Sequence, residues 1–365
     1  MTRNDRSGAG FDRRLIWALL PACQLLALPA FGACPAGPTE LRPVVRALPP
    51  RDIAMLNAAS MKFSATSWNA GDGILEIVPR NPFTDPTTGT TKQPVDQRIY
   101  CSDGSHYDRP AGNAAYHAAH NHVHYNDYAN YILEQDVGTP QNPRKGTKTT
   151  FCIMDTTGVN IQIKGASGAP IFDWCPTQEP GFNSQGMAVG WGDTYGANLT
   201  GQSLAIGDLA AGMYRLRHVF DPKGLLLETS ESDNESCRRV EIGDGAEGRY
   251  VADRGPCTAV PVPRIDSISP ASMKANSCGN VTISGADLAP EMRVTISGGT
   301  GPVPNISGTK FDAAGNFITG RICVPQVRKG KKGGLGTSPV WDIGVTAVFG
   351  GYATVKKVDL LRVTL

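Results

Sequence analysis

The chain has 365 residues, with 35 Lys and Arg against 33 Asp and Glu, a formal charge of +2. At the level of net charge so even a balance shows no nucleic-acid footprint. The length suits two domains, and 42 Gly with 27 Pro favour short strands and turns over long helices.

Residues 1–33 read as a secretory signal. Arg13 and Arg14 precede the apolar run Leu15–Ala33, which Pro21 and Pro29 interrupt and small residues end. The uninterrupted apolar stretch is short for a bilayer span of ~20 residues, and no later run is long enough. The mature chain is therefore expected to be secreted or periplasmic, without a transmembrane segment, in a compartment that permits disulfides. Two arginines alone are a weak mark of twin-arginine export, and "FGAC" before Cys34 is a poor match to a lipoprotein cleavage site.

Of nine cysteines, Cys23 lies in the signal and eight follow it. Local pairing gives Cys152–Cys175, Cys237–Cys257 and Cys278–Cys323, and leaves Cys34–Cys101, although spacing alone does not fix connectivity. No CxxC pair is present, which argues against a redox motif or a zinc ribbon.

Residues 41–257 read as one β-rich unit. "PPRDIAMLNAAS" near residue 50 fits a short helix or a strand. Met61–Pro79 holds two alternating strands around the turn "NAGDG". "VDQRIYC", "HNHVHYNDYANYILEQ" and "TKTTFCIMDTTG" are further strand candidates, and "GMYRLRHVFDPKG" is a strand leading into a turn. Gly255–Pro270 is a proline-punctuated linker. Beyond it, "NVTISGADL", "RVTISGG", "NFITGRICVP", "WDIGVTAVFGG" and "TVKKVDLLRVTL" predict a small β-sandwich over residues 262–365. Its "IDSISPASMKANSCGNVTISGADL" resembles the opening of the immunoglobulin-like domains called IPT or TIG. "RKGKKGG" (Arg328–Gly334) reads as a solvated loop, with binding to acidic surfaces as the alternative.

The chain has only six histidines, and four stand within eight residues: His117, His120, His122 and His124. Spacing of i, i+2 and i+4 puts His120, His122 and His124 on one side of a strand, with Asn121 and Val123 on the other. The outer two Cα atoms of such a strand lie roughly 13 Å apart, while an imidazole reaches a metal roughly 6–7 Å from its Cα. Convergence on one ion therefore needs a bend or bulge, or leaves one histidine unbound. His117 is a candidate for a supporting position behind the ligands. An all-imidazole set suits copper, zinc or iron, and spacing does not choose among them. A polar solvent-facing strand is the plain structural alternative.

"HNHVH", then "KTTFC" (Lys148–Cys152), then "GWGDTYG" (Gly190–Gly196), in that order and distance, resemble the lysyl oxidase family. "SWNAGDGILEI" upstream and "LLLETSESDNESC" downstream resemble its bacterial branch. The resemblance implies a lysyl oxidase-type β-sandwich with the activity of a copper-dependent amine oxidase. Its copper ligands would be His120, His122 and His124. Its quinone, lysine tyrosylquinone, would be made from Lys148 and Tyr195, with Asp193 as catalytic base. The implied partners are O2 and a primary amine, including a lysine-containing protein. Cys152–Cys175 resembles a family disulfide that braces the lysine-bearing segment. Ala119 and Trp191 stand where animal members carry cysteines, so part of the animal bracing is missing. His218, in "RLRHVF", reads as structural. The competing readings are a non-catalytic extracytoplasmic copper- or zinc-binding protein and an adhesion protein working through its tail.

Overall fold

The computed structural model describes residues 32–81, 83–84, 91–117, 121–138, 143–176, 184–326, 339–347 and 354–364. Residues 1–31 of the expected signal, Ala119, His120 and the basic run Arg328–Gly334 lie outside the described residues. Among the described residues every regular element is a strand, so the expectation of a mainly β chain holds. No helix among them is long and apolar enough to cross a membrane.

Three sheets are built from residues before 257. The first runs Gln185–Met187, Leu75–Pro79, Thr91–Cys101, His106–His117, His122–Tyr125. The second runs Thr157–Gly158, Trp191–Tyr195, Ser60–Asn69, Ser203–Ala205, and Val45–Asn57 also pairs with Ser60–Asn69. The third runs Arg144–Lys145, Ala129–Gln135, Gly212–Phe220, Glu235–Gly245, Gly248–Pro256. Apolar side chains from all three enclose the main core. Ser60–Asn69 is buried on both faces. Met61, Phe63 and Ala65 enter the main core, while Trp68 faces a smaller cluster with Leu48, Val159, Ile163 and Val189.

The segment near residue 50 is a strand, Val45–Asn57. Pro49 and Pro50 lack the N–H that a helix interior needs. An edge strand tolerates them, with register shifts on both sides of Arg51. "TKTTFCIMDTTG" mostly lacks regular pairing beyond a bridge between Tyr125 and Phe151 and the short strand Thr157–Gly158. Side chains link it to the rest of the fold instead. The Asp155 carboxylate accepts the N–H groups of Ile171 (2.7 Å), Phe172 (3.1 Å) and Ala188 (2.8 Å). Gln185 Oε1 accepts the N–H of Ile153 at 2.9 Å.

Residues 264–364 contribute two four-stranded sheets around a separate core that includes Ile283, Ile318, Trp341 and Ile343. The three disulfides given by local pairing, Cys152–Cys175, Cys237–Cys257 and Cys278–Cys323, form, and so does the remaining pair Cys34–Cys101.

Gly212–Phe220 follows the period of two. Tyr214, Leu216, His218 and Phe220 point inward, while Arg215 and Arg217 pair outside with Glu134 and Glu235. His218 is thus carried into the interior, 1% exposed, with Nε2 3.3 Å from Ser67 Oγ and Nδ1 3.4 Å from the Leu48 carbonyl. Burial lowers its pKa from the ordinary 6.5 to about 4. The unfolded chain takes up a proton between those values and the folded chain does not, so stability falls as pH drops from 6.5 toward 4. The gap corresponds to about 3 kcal/mol. Urea denaturation of the parent and of His218→Gln across pH 4–7 is expected to show a parent-specific loss of that size. Parallel curves for the two proteins would overturn it.

Candidate functional site

The histidine strand is shorter than its sequence pattern. It begins at His122 and ends at Tyr125, pairing antiparallel with His106–His117 so that His122 faces His117 and His124 faces Ala115. Asn121 takes a left-handed φ of 55°, a conformation Asn tolerates, and its Oδ1 accepts the Tyr116 hydroxyl at 2.7 Å. The run is therefore not one straight strand, and His120 lies outside the described residues. The Nε2 atoms of His122 and His124 are 2.8 Å apart. His124 Nδ1 lies 3.2 Å from Thr150 Oγ1, and its ring stacks on His117 at 4.8 Å.

Asp193 and Tyr195 alternate along Trp191–Tyr195 and share one face of that strand. Their register is fixed against Ser60–Asn69, Asp193 opposite Ser67 and Tyr195 opposite Ala65. Lys148 reaches the same face from an irregular segment. Its Nζ lies 5.0 Å from the centre of the Tyr195 ring and 4.9 Å from that of Phe151. One cavity of about 320 Å³ is lined by His122, His124, Lys148, Asp193 and Tyr195, with Met154 and Leu199 among its apolar walls.

The cavity is electrostatically strained. Asp193 is 2% exposed and its Oδ2 has no hydrogen-bond partner. Desolvation pushes its carboxyl well above the usual range. The nearby Tyr128 hydroxyl and the charge of Lys148 oppose that, while Asp155 adds to it. Burial lowers the pKa of Lys148, against the pull of Asp193. Burial raises that of the Tyr195 phenol, and Asp193 raises it further. The Tyr195 hydroxyl donates to the Cys152 carbonyl at 2.9 Å and accepts the Cys152 N–H at 3.0 Å. Phe151 meets the same ring edge-on at 4.7 Å.

Several contributors carry no signal in linear spacing. Tyr128 touches the chemistry only through folding, and Asp155 looks like any turn aspartate. Gly201 is the one with a readable hint, a glycine in a polar loop. Its φ is +84°, and a Cβ there would stand 3.1 Å from Cβ and Cδ of Lys148. The lysine stem occupies the space that the missing side chain leaves.

Among the described residues no group of three His, Cys, Asp or Glu side chains is arranged to hold a metal. The donor set nonetheless fits one. Two metal–nitrogen bonds of about 2.0 Å meeting at a right angle separate their nitrogens by about 2.8 Å, the spacing seen between His122 and His124. Thr150 beside the far nitrogen of His124 is the kind of neighbour that orients a ligating imidazole.

The state of Asp193 can be read from stability. Its unfolded pKa is near 3.8 and its folded pKa is raised. As pH rises above 3.8 the unfolded chain releases a proton that the folded chain retains, and folding weakens. Asp193→Asn removes that penalty. It is expected to be more stable than the parent at pH 7, with the advantage shrinking toward pH 3.5. A pH-independent difference in urea midpoints would show that this carboxyl is not held in a desolvated state.

Residues 102–246 match the family model described as lysyl oxidase. Lysyl oxidase homolog 1 from Homo sapiens is 28% identical over 145 residues, which cover 40% of this chain and 22% of that protein. Protein-lysine 6-oxidase from Homo sapiens is 28% identical over 127 residues, 34% of this chain and 27% of that protein. The same protein from Sus scrofa is also 28% identical over 127 residues, and there the match covers 46% of the relative. The chain thus spans less than half the length of these curated relatives. The matched segment contains His122, His124, Lys148, Asp193 and Tyr195.

Proposed function

We propose that this chain is a copper-dependent amine oxidase of lysyl oxidase type, converting a primary amine, O2 and water into an aldehyde, ammonia and hydrogen peroxide. The substrate class includes lysine side chains of proteins. The cofactor is a lysine tyrosylquinone made from Lys148 and Tyr195, and copper is held by His122 and His124 together with His120. In this reading residues 1–33 are an export signal and the mature protein acts outside the cytoplasm. Residues 41–257 form a catalytic β-sandwich, and residues 262–365 an immunoglobulin-like sandwich of IPT or TIG type. One observation carries the proposal: residues from three separate segments, His122 with His124, Lys148, and Asp193 with Tyr195, line a single cavity.

Each side chain has a task its surroundings suit. Bound copper would supply the positive charge that draws off the Tyr195 proton and a redox partner for O2, and the quinone would supply the electrophile and electron sink. Burial of Lys148 favours the neutral amine, the only form able to attack a ring. Phe151 and the Cys152 backbone hold the Tyr195 ring within reach of that amine. Asp193, with one carboxylate oxygen unpartnered, can take a proton from the substrate α-carbon beside the ring. Its raised pKa brings it closer to the working pH of a general base. Met154 and Leu199 present apolar walls to an aliphatic amine.

The competing reading is a metal-binding protein that never matures a quinone. The commitment of the Tyr195 hydroxyl to the Cys152 backbone favours it. Peptide mapping separates the two. After expression with copper, tryptic peptides holding Lys148 and Tyr195 are expected to be covalently joined and to stain as quinone. Tyr195→Phe should retain copper and lose peroxide release from primary amines. Asp193→Asn should keep the cross-link and lose about 10²–10⁴-fold in turnover. Unlinked peptides from a fully copper-loaded chain would leave the metal-binding protein as the answer.

A further inference from the structure

The strand bearing Asp193 and Tyr195 is anchored beyond its own sheet. On one side it pairs with Thr157–Gly158, where Thr157 faces Gly192 and Gly158 faces Trp191. Thr157 Oγ1 lies 2.9 Å from Thr194 Oγ1, and Thr156 Oγ1 accepts the Thr194 N–H at 2.6 Å. At the strand's entry, the Gly190 carbonyl accepts the N–H groups of Val159 and Asn160, each at 3.0 Å. Gly190 has a φ of +84°, and a Cβ on it would stand 2.5 Å from the Asn160 carbonyl oxygen. Residues 156–160 therefore form a lattice around the start of the strand.

That lattice is fastened to the C-terminal sheets. Asn160 is fully buried, and its side-chain amide donates to the carbonyls of Pro290 and Met292, both at 2.7 Å. Its Oδ1 accepts the Gln162 N–H at 3.1 Å, so its side chain has no idle hydrogen. Gln162 adds a reciprocal pair with Val294, donating to its carbonyl at 2.9 Å and accepting its N–H at 2.7 Å. Arg293 donates to the carbonyls of Val159, at 3.0 Å, and Gly158. A short parallel bridge joins Ile163 to Thr309, and Phe311 packs on the small core of Leu48, Trp68, Val159, Ile163 and Val189. These bonds connect the two parts of the chain through polar groups, Asn160 buried and Gln162 and Arg293 partly so, which fix geometry more tightly than apolar contact.

We propose that Asn160 is a positioning residue, through which the C-terminal sheets hold the Asp193–Tyr195 strand in register for the reaction proposed above. The C-terminal unit is then a built-in part of the site and not an appended surface module. Asn160 touches neither substrate nor ring. It acts through Gly190 and the Thr157–Gly158 pairing, and Gln162 assists it.

Amide hydrogen exchange on the full chain tests this, with Asn160→Ala and the milder Gln162→Ala. Protection at Gly192–Tyr195 is expected to fall about tenfold or more, while Ala129–Gln135 and Gly212–Phe220 keep theirs. Cross-linking of Lys148 to Tyr195 should slow in step. If loosening stays within residues 158–164 and 290–294 and the Gly192–Tyr195 amides are unmoved, the proposal is overturned. Should Asn160→Ala fail to fold, Gln162→Ala decides by the same criterion. Repeating the exchange in the Tyr195→Phe chain reads the positioning without any amine oxidation. Failure of the clamp and failure of the oxidase reading are thereby distinguished.

Discussion

The ladder between Ser60–Asn69 and Trp191–Tyr195 determines where chemistry can sit in this molecule. A strand repeats every two residues, so a slip of one position would turn Asp193 and Tyr195 to the opposite face and present Gly192 and Thr194 instead. The register is held by burial of Ser60–Asn69 on both faces. One face is committed to the main core through Phe63 and Ala65, the other to the small core through Trp68. No neighbouring register satisfies both. The aromatic side chains continue the constraint into the cavity. Phe63 meets Tyr131 edge-on, Tyr131 meets Phe151, and Phe151 meets Tyr195. The site ring is thus the last member of a packed aromatic series and not a side chain on a flexible loop.

That rigidity is combined with unfavourable electrostatics. A buried carboxyl with an unpartnered oxygen, a half-desolvated lysine and a phenol pushed away from ionisation are each destabilising in isolation. They are tolerated because the surrounding sheets over-determine their positions. The cross-strand disulfide Cys278–Cys323 reinforces a region away from the cavity. This is the usual division in a functional fold, with strain concentrated in one place and support spread elsewhere.

How much of this was readable beforehand depended on the range of the interaction concerned. Local alternation gave Gly212–Phe220 and the inward path of His218, because strand period is a short-range property. Local cysteine pairing anticipated the disulfides, since each close pair spans adjacent strands or a single loop. The set of His122, His124, Lys148, Asp193 and Tyr195 was visible only as a family resemblance; no spacing rule brings Lys148 to a strand more than forty residues away. Val45–Asn57 was ambiguous because Pro49 and Pro50 are tolerated both in the first turn of a helix and in an edge strand. Tyr128, Asp155 and Asn160 were invisible. Their partners lie in distant segments, and a buried Asn with three satisfied side-chain bonds looks in sequence like any loop Asn.

The bond between Cys152 and Cys175 spans the cavity's construction in an unexpected way. Cys152 supplies the backbone groups that grip the Tyr195 hydroxyl, and Cys175 forms part of the cavity wall. One covalent link therefore ties the grip on the ring to the enclosure around it. In the oxidase reading proposed above, a chain carrying those sulfurs as free thiols would have a loose wall and two nucleophiles beside the quinone ring. In that reading oxidation of the pair would come before any ring chemistry, and the order of assembly would matter to the site as much as its final shape.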